Sequence, residues 1–361
     1  MRIAVDAREL VGQATGVGRY LREVLTEWDA AGVCDRHEIV LVAHRAPDHA
    51  PAGWREATRV RSGSGGTRWE QWDFTRALAD LRPDVVFSPG YTTPLAAPAP
   101  VALAVHDVSF FAHPEWYTWR EGMRRRVVTA WSARRARLVM APSAFSAREI
   151  VQHLAVDAGR VRVVPLGVRP SPSPVAEARS PLVLYVGSLF QRRRIDVLID
   201  AFRTVASAHP GARLEIVGAN RTRPFLDFAA RVAACGLTGR VTLRDWVDDA
   251  TLHTLYAEAS VFVFLSQYEG FGFTPLEAMA HGAVPVVLDT PVAREVYGDA
   301  AWHVADARGI TARVAEAIAT LLEGGAARDR LRRAAGPVLA RYRWADTAAH
   351  VLRVVEEAAG A

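Results

Sequence analysis

The sequence predicts an α/β protein built from two doubly wound parallel sheets. Three observations predict it. The chain has 361 residues, more than a single core of ordinary size holds. Short apolar, β-branched runs alternate with helix-period segments from end to end, the pattern of parallel strands joined by crossover helices. A stretch rich in proline and serine separates these runs into two sets.

In the first set, Ile3–Asp6, Glu38–Ala43, Asp84–Ser88, Val101–His106 and Arg137–Pro142 read as strands. The second set comprises Pro181–Gly187, Arg213–Gly218, Val241–Arg244, Val261–Ser266 and Val284–Leu288. Each is an apolar run, as parallel strands covered on both faces require. Between the sets, Arg169-Pro170-Ser171-Pro172-Ser173-Pro174 and the residues on to Pro181 can continue neither a helix nor a central strand, so they read as a linker. The expected division is a first domain over 1–170, a second over 171–345 and a C-terminal helix over 346–361 that is free to cross back onto the first. Doubly wound sheets bind ligands at the carboxyl ends of their strands. Two such sheets facing one another would form a ligand cleft between the domains.

Composition excludes several classes. The 44 basic residues against 39 acidic give a net charge of +5, and every basic residue is arginine. Without lysine there is no Schiff base for pyridoxal phosphate and no P-loop Gly-Lys-Ser/Thr. Cys34 and Cys235 are the two cysteines, which supply neither a disulfide framework nor zinc-ligand spacing. Met1–Asp6 reads as a strand rather than a signal peptide. No apolar run approaches the roughly 20 residues of a spanning helix. The expected compartment is the cytoplasm, and no nucleic-acid partner is expected.

The most informative stretch runs from Ser266 through Tyr268-Glu269-Gly270-Phe271-Gly272-Phe273-Thr274-Pro275-Leu276-Glu277 to Ala280. It reads as the end of a buried strand, a glycine-rich loop, and a helix starting near Pro275. Proline suits the first helical position. That placement sets Thr274 at the N-cap and Glu277 at the third helical position, a capping box. Glycines let backbone amides approach a ligand, and the helix start favours an anion. Taken alone, the box would more often be structural.

Glu269 and Glu277, separated by the seven residues Gly-Phe-Gly-Phe-Thr-Pro-Leu, resemble the E-x7-E signature of family 4 retaining glycosyltransferases. Ala278-Met279-Ala280-His281-Gly282-Ala283-Val284-Pro285 fits the same pattern. The resemblance implies the GT-B fold: two Rossmann-like domains facing across a cleft that takes a nucleotide diphosphate sugar. It implies that Glu269 lies near the donor-sugar hydroxyls and Glu277 near the ribose. The amides of Gly270, Phe271, Gly272, Phe273 and Thr274 would then reach sugar and phosphate.

Further motifs acquire meaning beside it. Leu184-Tyr185-Val186-Gly187-Ser188-Leu189-Phe190-Gln191-Arg192-Arg193-Arg194 leads from a strand into a helix. Guanidinium groups there suit a diphosphate, although a solvated basic loop is the plain alternative. The family has an arginine and a lysine at this place. Arg192 fits the arginine, and Arg193 or Arg194 must stand for the lysine. Thr15-Gly16-Val17-Gly18-Arg19-Tyr20 follows the first strand. It is weak alone, but the family sets such a loop beside phosphate and acceptor, which makes Gly16 and Gly18 candidates. His106, beyond Val101–Val105, reads by itself as structural. In the family a histidine here contacts the sugar near its reacting carbon. Ser88–Pro94 is a loop that could face the acceptor, and Val247 in Trp246-Val247-Asp248-Asp249 matches the contact to the nucleotide base.

Met123-Arg124-Arg125-Arg126 through Arg137 reads as a basic amphipathic helix. A solvated surface is its default, and peripheral contact with the inner face of a membrane is the alternative. The chain carries no Asp-x-Asp. The resemblance therefore implies a metal-independent, retaining hexosyltransferase without cofactor, in which His106, Glu269 and Arg192 are catalytic. The donor leans to GDP-mannose over UDP-glucose, and the acceptor is a glycan, a lipid-linked glycan or a small molecule. Two other readings remain: a GT-B protein that binds nucleotide sugar or glycan without turnover, and a sugar-nucleotide epimerase.

Overall fold

The computed structural model describes residues 1–12, 15–54, 57–171 and 179–360. The chain divides into two compact units, one of Met1–Gly167 with Tyr342–Ala361 and the other of Val168–Arg341. Of the stretch expected to link two domains, 172–178 lie outside the described residues.

The first unit holds a seven-stranded parallel sheet in the order β3-β2-β1-β4-β5-β6-β7. Its strands are β1 Arg2–Asp6, β2 Glu38–Ala43, β3 Thr58–Val60, β4 Val85–Ser88, β5 Val101–Ala104, β6 Leu138–Ala141 and β7 Val161–Val163. Central β1 pairs Ile3 with both Ile39 of β2 and Val85 of β4. The apolar faces close on Trp28, Trp69, Phe74 and Phe87, all 1% exposed or less. The last helix, Trp344–Ala359, belongs to this unit. Trp28 Nε1 donates to Ala348 O at 2.9 Å, which gives the buried indole its partner.

The second unit holds a six-stranded parallel sheet in the order β10-β9-β8-β11-β12-β13. Its strands are β8 Ser180–Val186, β9 Arg213–Val217, β10 Val241–Arg244, β11 Ala259–Phe264, β12 Val284–Leu288 and β13 Trp302–Val304. Renumbered from one, the second sheet runs 3-2-1-4-5-6, and the first runs in the same order with a seventh strand added at its end. This is the doubly wound order whose direction reverses beside the first strand. The reversal points lie between β1 and β4 and between β8 and β11.

Three strands were not legible as apolar runs. These are β3, β7 and β13, three residues each and each at a sheet edge. An edge strand packs against less of the core, so its sequence need not be continuously apolar. Several expected strands also end early: β5 stops at Ala104 and β11 at Phe264. His106 and Ser266 therefore lie in the loops beyond the strands.

Candidate active site

The reversal point of the second sheet gathers the loops after β8 and β11. Gly187, at φ +140°, follows β8 at a point where an added Cβ would lie 2.5 Å from Arg193 Nη1. The lack of a side chain there lets the arginine fold back over the sheet end. Gln267 N donates to Arg192 O at 3.0 Å, which ties the two loops together through the backbone.

The three adjacent arginines take three different positions. Arg192 lies with its guanidinium carbon 4.6 Å from the centre of the Phe190 ring, a cation–π contact. Arg193 turns inward, pairs with Glu269 Oε1 at 2.8 Å and sits 4.7 Å from the Phe264 ring centre. Arg194 pairs with Asp306 and occupies the left-handed region at φ 52°. The side chains of Arg193 and Glu269 are 13% and 17% exposed. Burial works against the Arg193 charge, yet Glu269 and the Tyr185 hydroxyl raise its pKa above the ordinary arginine value. Ser266 Oγ donates to Glu269 Oε1 at 2.7 Å, so the carboxylate is held from two sides.

The glycine-rich loop leads into the helix Phe273–Ala280, with Gly272 at the N-cap. This corrects the expected capping box. Gly272 at φ +88° lets helical backbone begin at Phe273, so Thr274 is inside the helix and Pro275 is its third residue. Proline is tolerated there because no first-turn N–H has an intrahelical acceptor. Among the described residues, the buried Thr274 Oγ1 has no hydrogen-bond partner. Glu277 lies mid-helix at 6% exposure and accepts from Tyr256 Oη at 3.0 Å. His281, one turn on, donates through Nδ1 to Glu277 O at 2.9 Å and meets His253 Nδ1 with its Nε2 at 3.2 Å. Burial depresses the His281 pKa, and His253 adds to the effect.

Tyr297 clamps the loop from the helix Pro291–Tyr297. Its hydroxyl reaches Gly272 O at 3.0 Å and Phe271 O at 3.3 Å. An added Cβ on Gly272 would lie 2.1 Å from that hydroxyl, so a larger residue would have to displace the Tyr297 ring end or the loop, and the positive φ separately favours glycine. Phe271 is buried and meets Phe273 edge-on, with ring centres 6.0 Å apart. Gly270 is also buried. Val247 lies past β10, two strands from β8 in the sheet order, in the loop before the helix Asp249–Glu258 capped by Asp248.

The reversal point of the first sheet is built the same way. After β1, Thr15 caps the helix Gly16–Ala30 by accepting from Gly18 N at 2.9 Å. Gly18 packs so closely that an added Cβ would lie 2.2 Å from Glu9 O, whereas nothing lies within 4 Å at Gly16. Gly90, after β4, would meet Val17 Cγ1 at 2.8 Å, so the two loops touch. His106, after β5, bonds Pro89 O through Nε2 at 2.8 Å. A carbonyl only accepts, so Nε2 carries the proton and Nδ1 is the acceptor nitrogen of the neutral ring. Burial lowers the His106 pKa, which keeps the ring neutral near pH 7. Below this loop lies a buried charge cluster: Arg8 pairs with Asp6 at 2.6 Å and with Glu70, whose Oε1 also accepts from Thr92 Oγ1 at 2.6 Å.

The structure thus groups Arg192, Arg193, Glu269 and the 270–274 loop in one unit, and Gly16, Gly18 and His106 in the other. Sequence reasoning missed Tyr185, Tyr297, Ser266 and the Asp6–Arg8–Glu70 cluster. Only Ser266 had a local signal, its place three residues before Glu269.

Comparison with known proteins agrees with this architecture. The model described as Glycosyltransferase Family 4 matches residues 14–171, and the one described as Glycosyl transferases group 1 matches 171–336. A GDP-mannose:cellobiosyl-diphosphopolyprenol alpha-mannosyltransferase of Komagataeibacter xylinus is 28% identical over 286 residues, 72% of each chain. Sucrose-phosphate synthase from Thermosynechococcus elongatus superposes with a TM-score of 0.74 at 20% identity, covering 99% of this chain and 98% of that one. Anabaena HepE, solved with UDP and glucose, gives 0.73 at 18% identity, covering 99% and 100%. With two family models adjoining over 14–336 and two doubly wound sheets beneath them, the chain belongs to glycosyltransferase family 4 and has the GT-B fold.

Proposed function

We propose that this glycosyltransferase moves a hexose from a nucleotide diphosphate sugar with retention of anomeric configuration and without a metal. The observation that carries the reading is the Arg193–Glu269 pair at the β8/β11 reversal point. It sets a cation and a carboxylate beside a loop of backbone amides, and a departing diphosphate and an electron-poor sugar need these two kinds of group.

In this reading Arg192, Arg193 and the start of the helix Phe273–Ala280 stabilise charge growing on the diphosphate. Arg193 and Ser266 both engage Glu269 through Oε1, which leaves Oε2 to meet a sugar hydroxyl. Neutral His106 offers Nδ1 to the sugar near its reacting carbon. Glu277 anchors the ribose, and Val247 packs on the base. The bond from the anomeric carbon to the diphosphate breaks as the bond to the acceptor oxygen forms on the same face. The acceptor proton passes to a diphosphate oxygen. Positioning and charge stabilisation supply the acceleration.

GDP-mannose is the favoured donor, with support from the name of the Komagataeibacter relative. The acceptor is a glycan, a lipid-linked glycan or a small molecule. The test is a thermal-shift panel of UDP, GDP, ADP and dTDP with EDTA on wild type and Glu277→Ala. A nucleotide at 100 times its dissociation constant adds about 2.7 kcal/mol to the folded state. A shift by GDP that the variant loses supports the reading. A shift by another nucleotide reassigns the donor, and an equal response of the variant removes Glu277 from the site. Binding without diphosphate release in the presence of acceptors would make the chain a binding protein.

A further inference from the structure

The helix Trp119–Arg135 carries four large apolar side chains on its solvent face. Trp119 is 72% exposed, Met123 40%, Val127 44% and Trp131 57%. They recur every four residues, and at about 100° per residue they form one band about 120° wide. Gly122, Thr129, Ser132 and Ala133 are buried on the opposite face, and the small Ala130 is buried near the edge of the band beside Trp119. One exposed apolar residue is ordinary, but a continuous band of this kind marks an interaction surface.

The band is also basic. The exposed Arg120 and Arg124 fall within or beside it by the same periodicity. The helix holds six arginines and one acidic residue, Glu121, and six minus one leaves +5. Glu121 is already paired with Arg125 at 3.0 Å. Arg124 Nη1 reaches Thr67 Oγ1 at 3.3 Å, so the segment carrying Trp72, itself 59% exposed, runs alongside.

We propose that this face docks on a bilayer bearing anionic headgroups, with the helix lying in the interface plane. Tryptophan prefers the headgroup level. Arginine stems can lie along apolar groups while their guanidinium groups bond phosphates. Among the described residues no helix is long and apolar enough to cross a membrane, so attachment through this helix is in-plane. A second copy fits poorly, because self-complementary pairing would set two strongly cationic helices against each other. The proposal does not depend on the nature of the transferred sugar or on catalysis.

The test is flotation of the full chain with vesicles of phosphatidylcholine alone and of phosphatidylcholine with phosphatidylglycerol at 3:1, without donor or acceptor. The wild type should float with the anionic vesicles at least tenfold better than with the neutral ones, and lose this in 0.5 M salt. W119S/W131S should weaken binding at least tenfold and R120Q/R124Q at least fivefold, with thermal melts like the wild type because the buried face is untouched. Failure of the wild type to bind anionic vesicles, or equal binding by both variants, overturns the proposal. So does a dimer in sedimentation velocity that W119S/W131S breaks in the absence of vesicle binding.

Discussion

Arg193, in the loop after β8, holds Glu269, in the loop after β11, through a 2.8 Å ion pair at the reversal point of the second sheet. Two loops distant in sequence thus share one charge pair. Removing one partner of such a pair leaves the other charged and poorly solvated, which costs about 3 kcal/mol. Arg193→Met and Glu269→Gln should each lower the urea midpoint. The double variant should lose less than the sum, with a coupling of roughly 1–3 kcal/mol. Additive losses would show that the pair carries no net interaction. Glu269→Gln should also lower kcat by about 100-fold or more.

The adjacent arginines should separate cleanly in binding. Arg194 is committed to Asp306, whereas Arg192 lies over Phe190. Titration calorimetry with GDP should find Arg194→Ala within about twofold of wild type and Arg192→Ala weakened about tenfold, the loss of one charge-assisted phosphate contact. The reverse order would make Arg194 the ligand.

Thr274 discriminates a cap from a ligand contact. A capping hydroxyl is worth about 1 kcal/mol, but the Thr274 Oγ1 found here is buried without a partner among the described residues. Thr274→Val should therefore leave the melting temperature unchanged or raise it, while weakening nucleotide binding. A clear loss of stability with unchanged binding would restore the capping role.

Gly272 and Tyr297 should be energetically coupled. An alanine at 272 would place its Cβ 2.1 Å from the Tyr297 hydroxyl, besides the strain at positive φ of about 1 kcal/mol. Gly272→Ala should cost markedly less in a Tyr297→Phe background, where the hydroxyl is gone. Denaturant unfolding of the four proteins measures the cycle, and an equal cost in both backgrounds would mean that the loop simply moves aside.

Acid should weaken the fold before carboxylates titrate. Burial holds His106, His281 and His303 below the value of 6.5 for a free imidazole. The unfolded chain therefore takes up protons near pH 6.5 that the folded chain refuses until lower pH, so stability rises with pH through this window. The melting temperature should be level from about pH 7 to 8 and fall from 6.5 downward. His281→Gln should make that fall shallower. A melting temperature that rises on acidification would contradict the burial of these rings.

Much of the fold was legible because parallel strands covered on both faces must be apolar along their whole length. Glu38–Ala43 and Val284–Leu288 are strands with the bounds their sequences indicate. The edge strands Thr58–Val60 and Trp302–Val304 lack that constraint and gave no run to read. The helix after Gly272 was misplaced by two residues. Proline and threonine suggested a start there, but the positive φ of a glycine moved it, and backbone angles are not written in residue type alone.

The carboxylates of the Glu269 and Glu277 motif, the arginine run and the glycine loops could be named from sequence, since their chemistry and spacing are local properties. Which arginine meets Glu269, which pairs with Asp306, and that Tyr297 secures Gly272 depended on tertiary structure. These contacts join strands and helices from separate crossovers. Sheet order and side-chain packing create that proximity, and no spacing along the chain encodes it.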